Sequence, residues 1–276
     1  MRTILLSLAL IAVLCGCETA QRQESVLTRV RRNHVLRCGY VEWPKLLERD
    51  PNTSAFSGIF PEVMAQVATA SGLEVQWAES LSFGDIGEAL SSQRIDAVCS
   101  GVWAVTPRAL AMTFSRPITY SSVYAWTRAE DAGLSGLDSL DNPNRRIATI
   151  DGEYSALTKA RLFPKALELS MPKSTEGPEL YLALTSKKAD ATVGDVTSAN
   201  RFLAAHPGSI RRLSGSGPVG LMGTVLVVKK GEWALKEVLD TAIEELLNSG
   251  FVDKTLQKYE QYPNEFVRVA PLWVEK

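Results

Sequence analysis

The sequence predicts an α/β protein built as two similar lobes, each a mostly parallel sheet flanked by helices. Three observations carry that reading. Short apolar runs alternate with helix-period segments between residues 35 and 99, the alternation restarts near residue 147, and one nine-residue pattern occurs twice. In the repeat, Ala89-Leu90-Ser91-Ser92-Gln93-Arg94-Ile95-Asp96-Ala97 is matched by Ala183-Leu184-Thr185-Ser186-Lys187-Lys188-Ala189-Asp190-Ala191. Each copy reads as the end of a helix, a basic turn, and Asp-Ala opening a buried strand. Chance likeness between two αβ corners is the competing account of the echo.

Taken in order, the chain begins with a positive Met1-Arg2, an apolar run over 4–14, and Leu14-Cys15-Gly16-Cys17. The run is too short to span a bilayer as a mature helix and reads as a signal segment. The LCGC tetrad resembles a bacterial lipoprotein box, which implies cleavage before Cys17 and a diacylglycerol on its thiol; an ordinary secretory signal is the alternative. Residues 18–24 are polar and read as a tether. A strand is expected over 35–40, then a turn-rich stretch. A helix follows over about 61–71, with Val63, Met64, Val67 and Ala68 on one face and Gly72 as its stop. Strands over 73–77 and 95–99 bracket a helix near 85–91. In the second half the expected elements are a strand over 147–150, helices after Ser155 and near 179–185, and a strand over 191–193. A β-rich run over 224–228 precedes the clearest helix, 234–248, whose apolar face runs from Leu235 to Leu247 and which Gly250 ends. The tail from Tyr262 has no clear period.

Composition excludes several functions. Acidic and basic residues nearly cancel, 31 against 30, and no basic block could track a phosphate backbone, so nucleic acid is not an expected partner. Only His34 and His206 exist, which leaves no metal cluster and no histidine-based triad to expect. No cofactor is expected. The literal GxGxxG at 215–220 contains Pro218, precedes a strand instead of a helix, and reads as a loop. With Cys15 removed and Cys17 lipidated, Cys38 and Cys99 remain. An oxidising compartment allows them a disulfide, but two buried thiols fit a sequence equally well, and the reading here leans to reduced thiols.

The most specific stretch is Arg94-Ile95-Asp96-Ala97-Val98-Cys99-Ser100-Gly101, then Pro107-Arg108, then Phe114-Ser115-Arg116-Pro117. It resembles extracellular solute-binding protein family 3, the amino-acid-binding components of ABC importers, whose hallmark reads GxxDAxxxG, TPER, FSxPY. The resemblance covers nearly the whole mature chain, from Asn33–Gly39 at the first strand to Asn248–Lys254 at the last helix pair. It implies the periplasmic-binding-protein fold, two lobes joined by a two-segment hinge. Mapped onto this chain, lobe 1 is 25–118 plus 225–276, lobe 2 is 123–218, and the crossings are 119–122 and 219–224. It also implies a periplasmic location, lipid-anchored to a membrane (or a cell-surface one in a single-membrane bacterium), and an ABC permease as partner.

The same resemblance assigns the site. Arg108 matches the arginine for a ligand's α-carboxylate, a role suited to a planar fork that stays charged when desolvated; a surface arginine is the bland alternative. Thr106-Pro107 reads as a helix N-cap and first helical residue. Asp195 matches the aspartate for the ligand's ammonium and could equally cap the helix that follows it. Phe83 and Trp43 match aromatics that pack on the ligand, with plain core roles nearly as suited. Ser100 and Gly101 match cleft-lining backbone positions. Three departures stand out: Trp103 replaces a Ser or Thr that helps hold the carboxylate, Glu153 after Gly152 replaces a Thr or Ser, and Val105-Thr106-Pro107-Arg108 replaces TPER. The ligand that the resemblance implies is an amino acid, and with these departures a related carboxylate is expected beside it. Two alternatives accompany this reading: a sensory or regulatory subunit of the same fold, and a dehydratase-like enzyme using Glu153 as a general acid.

Overall fold

Residues 24–213, 217–262 and 265–269 are described by a computed structural model. Ser25 opens the fold: its hydroxyl accepts the Thr28 N–H at 3.2 Å and caps α1 (Val26–Asn33), which buries Val26 and Val30. β1 (Val35–Tyr40) follows, then a small hairpin of β2 (Glu48–Arg49) and β3 (Phe56–Ser57). α2 (Ile59–Ser71) buries Ile59, Phe60, Val63, Met64 and Val67, and ends at Gly72, which takes its φ of 65° without the strain a Cβ would add. β4 (Glu74–Ser80), α3 (Ile86–Ser91), β5 (Ala97–Trp103), the single turn α4 (Thr106–Ala109), β6 (Met112–Phe114) and β7 (Thr119–Arg128) complete the first part.

The alternation then restarts. β8 (Arg146–Ile150), α5 (Tyr154–Leu162), β9 (Leu167–Met171), α6 (Gly177–Thr185), β10 (Ala191–Asp195), α7 (Val196–Ala205) and β11 (Ile210–Arg212) form the middle of the chain. β12 (Gly220–Lys229), α8 (Trp233–Asn248), α9 (Phe251–Tyr259) and β13 (Phe266–Val267) return to the first part.

The main path of the sheet runs β4-β1-β5-β12-β7-β10-β8-β9. Its two ends are parallel, β4-β1-β5 on one side and β10-β8-β9 on the other. The ten-residue strands β7 and β12 join them. They pair with each other antiparallel over Thr119–Val123 and Gly220–Thr224; β12 then continues beside β5 and β6, and β7 continues beside β10 and β11. Helices cover both faces of each end. On the first, α1, α2, α8 and α9 bury Val30, Phe60, Met64, Ile243 and Leu256, while α3 buries Ile86 and Leu90 against Val98 and Val227 on the other face. On the second, one face holds Val123, Ile147, Phe163 and Val193, and the other holds Tyr181, Leu184 and Phe202. Each such side chain removed from water contributes about 1.5–3 kcal/mol.

The two echoed corners are alike in detail. Gln93 and Lys187 take φ of 58° and 59°, and Gln93 stands where the hallmark has Gly. Asp96 accepts the Arg37 N–H at 2.9 Å and donates its own N–H to the Arg37 carbonyl; Asp190 does the same with Arg146, at 2.8 Å.

Two expectations are corrected. Cys38 and Cys99 form a disulfide, with Cα atoms 5.4 Å apart, because β1 and β5 are parallel neighbours in a register that sets Cys38 beside Ala97. α4 starts at Thr106, so Val105 and not Thr106 is its N-cap residue, and no side chain caps it. The tail contributes β13, which pairs with β7. Cys17, the apolar run before it, and most of the 18–24 tether lie outside the described residues.

Candidate functional site

A cavity of about 550 Å³ lies between the two ends of the sheet. Among its lining residues, Trp43, Phe83, Trp103 and Arg108 come from the first part of the chain, and Glu153 and Asp195 from the middle. Each is held there by local structure.

Arg108 sits on the one-turn α4 between β5 and β6 and is 9 % exposed. Its guanidinium lies over the Phe83 ring, 5.1 Å from the centroid, a cation–π geometry. Nη1 donates to the Trp103 carbonyl at 3.2 Å, and Nη2 donates to the Glu153 carboxylate. Burial pushes the Arg108 pKa down, against the pull of Glu153, yet a guanidinium starts so high that it stays charged.

Glu153 reaches Arg108 because of the turn that ends β8. Gly152 takes φ of 73°, the Glu153 N–H donates to the Ile150 carbonyl at 3.0 Å, and the Ser155 hydroxyl accepts the Ile150 N–H at 3.0 Å. Glu153 occupies the N-cap position of α5 without capping it through its side chain, which leaves the carboxylate for Arg108. Burial raises the Glu153 pKa more than the arginine lowers it.

Asp195 closes β10 and caps α7. Its Oδ1 accepts the Ser198 N–H at 2.9 Å and the Thr197 hydroxyl. Among the described residues both bonds fall on Oδ1, and the carboxylate is 5 % exposed. Beside it, burial and then Asp195 push the Tyr181 phenol well above its ordinary pKa, so it stays a neutral donor to the Asp195 carbonyl.

The aromatic residues form a wall. Trp43 meets Phe83 edge-on at 5.6 Å and Trp103 at 5.2 Å, and Trp103 meets Tyr154 at 5.9 Å. The buried Nε1 of Trp103 has no partner among the described residues. The core reading of Trp43 also holds, since it is 7 % exposed and packs in the first core.

Ser100, Gly101 and Gly152 are not among the lining residues. Ser100 is fully buried and its hydroxyl accepts the Val41 N–H at 2.9 Å, which fixes the loop after β1. A Cβ on Gly101 would sit 2.5 Å from Thr224 Cγ2, so that glycine serves the contact of β5 with β12. Gly152 shapes the Glu153 turn from an exposed position. Sequence reasoning missed three contributors. Tyr154 follows Glu153 directly; Ser198, at the third position after the Asp195 cap, accepts the Trp43 Nε1–H at 3.1 Å; and Arg201, one turn further, pairs with Glu48. Helical spacing from Asp195 was the available signal for the last two.

Comparison with known proteins agrees with this architecture. A probable histidine-binding protein of Campylobacter jejuni is 26 % identical over 212 residues, 75 % of this chain and 78 % of that protein. A crystal structure of the substrate-binding protein of an amino acid ABC transporter superposes with a TM-score of 0.69 at 21 % identity, covering 83 % of this chain and all of that one. An ancestral arginine-binding protein bound to arginine gives 0.68 at 21 % identity, covering 82 % and 98 %. At these identities the two structures speak for the fold: an α/β periplasmic-binding-protein fold of two lobes. The family match runs over residues 37–262 and takes in both long strands and the whole lining of the cavity, and by it the chain belongs to the bacterial extracellular solute-binding proteins, family 3.

Proposed function

We propose that this binding protein captures an amino acid in the cleft and hands it to an ABC importer, held at the membrane by a lipid on Cys17. One observation carries the ligand class. A nearly buried arginine and a nearly buried aspartate line the same cavity from opposite sides, and their charges complement the two ends of a zwitterion. In this reading Arg108 takes the α-carboxylate, Asp195 takes the ammonium through its Oδ2, and Trp43, Phe83 and Trp103 pack on the ligand. The lobes are 25–118 plus 225–276 and 123–218, and they close about the crossings 119–122 and 219–224. The names of the relatives, histidine-binding and arginine-binding, support an amino acid, and the amino acid ABC transporter supports the importer.

Calorimetry on variants tests the reading. Removing one partner of a desolvated, hydrogen-bonded charge pair costs about 2–5 kcal/mol, on the order of 30-fold to several thousand-fold in affinity. Arg108→Ala should therefore nearly abolish binding, and Arg108→Lys should lose much of it, because a point charge cannot replace the fork. Asp195→Asn should weaken amino acids and spare carboxylates that lack an ammonium. Arg108→Ala binding within threefold of wild type would sink the amino-acid assignment.

A further inference from the structure

We propose that Glu153 is the protein's own stand-in for a ligand carboxylate at Arg108, so that a carboxylate ligand binds by displacing it. The inference rests on the amino-acid reading and adds a specificity-determining residue to it. Two of the family departures seen in the sequence, Trp103 and Glu153, meet at one guanidinium. Trp103 gives its carbonyl to Nη1 and Glu153 gives its carboxylate to Nη2. Both edges by which a guanidinium grips a carboxylate with two parallel bonds use Nη2, paired with either Nη1 or Nε. The Phe83 ring covers one face of the same group. A second carboxylate arriving at Arg108 would therefore share one buried cation with Glu153. Like charges in a desolvated site repel strongly, so one of the two leaves.

Glu153 has the means to leave. It extends from a turn whose other groups are independently held, by Ser155 to Ile150 and by its own N–H to the Ile150 carbonyl, and the cavity beside it provides room. Its departure also breaks one of three hydrogen-bonded or ion-paired ties across the cleft among the described residues, the others being Trp43 to Ser198 and Glu48 to Arg201. The pair thus does two things: it competes with every carboxylate ligand, and it holds the two sides of the cleft together. If Glu153 leaves the seat free a tenth of the time, every carboxylate ligand is weakened tenfold, because apparent affinity scales with the fraction of competent sites.

The test compares wild type, Glu153→Gln, Arg108→Ala and the double variant. Each is titrated by calorimetry with L-glutamine, L-leucine, L-phenylalanine, L-histidine and L-arginine, and small-angle scattering is measured with no amino acid added. Glutamine keeps the shape of Glu153 and removes its charge. Glu153→Gln should bind the neutral amino acids about tenfold or more tightly than wild type, should show a larger radius of gyration before addition, and should lose the gain when Arg108→Ala is combined with it. Equal or weaker binding by Glu153→Gln, with wild type binding normally, overturns the proposal and leaves the amino-acid reading standing; weaker binding would make Glu153 a ligand contact. If neither wild type nor Glu153→Gln binds any of the five, the amino-acid reading itself fails, and this proposal with it.

Discussion

Cys38 and Cys99 illustrate how a single residue's fate depends on its neighbour's register. Both are fully buried, on β1 and β5, and 61 residues separate them. Closing a loop of that length removes chain entropy from the unfolded state, which is worth about 4 kcal/mol in the simplest model and about 2–5 kcal/mol in practice. The double variant Cys38→Ala/Cys99→Ala should therefore lower the guanidinium midpoint by that equivalent, while thiol titration of native wild type should find neither cysteine reactive. A pair of free thiols in the denatured, non-reduced protein would contradict the bond. The sequence locates both cysteines in strands but cannot decide the bond, because a two-residue slip between parallel strands moves a pair of Cα atoms beyond bonding reach. Arg108, Asp195 and Glu153 are more legible, since the family resemblance marks their positions by short spacings along the chain, Arg108 and Asp195 as matches and Glu153 as a departure. The uses of Ser100 and Gly101 are not legible: each depends on an atom from another strand, the Val41 N–H in one case and the Thr224 methyl in the other.

At the level of elements, the repeated αβ corner is a device for starting a buried strand. The helix ends, one residue turns through positive φ, and an aspartate clamps the backbone of the neighbouring strand from both sides, with its carboxylate and its N–H. Arginines then neutralise it: Arg29 and Arg37 at Asp96, and Arg128 and Arg145 at Asp190. The copies differ in burial, 2 % exposed at Asp96 against 22 % at Asp190. At Asp96, burial raises the pKa, but the Arg37 side chain and backbone and then Arg29 outweigh it, and the carboxyl ends below its ordinary value. A carboxyl whose folded-state pKa is depressed stabilises the fold above its unfolded pKa, and that stabilisation is lost as pH falls through the folded value. Asp96→Asn should therefore cost about 1.5–3 kcal/mol at pH 7, the worth of hydrogen bonds to a charged group. The cost should begin to shrink below about pH 4, where the aspartate of the unfolded chain takes up a proton while the folded carboxyl still resists one. Urea titrations at pH 7 and pH 3 check both parts; an equal loss at both would remove the ionic account. Such corners show in sequence because helix end, turn and Asp-Ala are contiguous. The strands β2, β3, β6 and β11, two or three residues each, do not show, because so short a run carries no period and exists only by pairing with a distant partner.

For the whole molecule, the connection between the two ends of the sheet and the connection to a membrane are separate matters. β7 and β12 carry the fold across the cleft, and both lie wholly within the described residues, as do the disulfide and all the cavity residues discussed above. Among the described residues no helix is long and apolar enough to cross a membrane. An anchor on Cys17 would act through the polar 18–24 tether, seven residues that span at most roughly 25 Å when extended. Acyl chains contribute about 0.8 kcal/mol per buried methylene, enough when several are attached to hold the protein at the surface. Such a tether would keep the cleft within about one domain diameter of the bilayer; of its residues Glu24 is described, and its carboxylate pairs with Arg32. Cys17→Ala should accordingly move the protein from the membrane fraction to the soluble one while thermal stability and amino-acid affinity stay at the wild-type values. Membrane fractionation with a labelled-palmitate control reads the first effect and calorimetry the second. Retention of Cys17→Ala in the membrane fraction would remove the lipid anchor, and loss of binding in that variant would mean that the tether takes part in the fold.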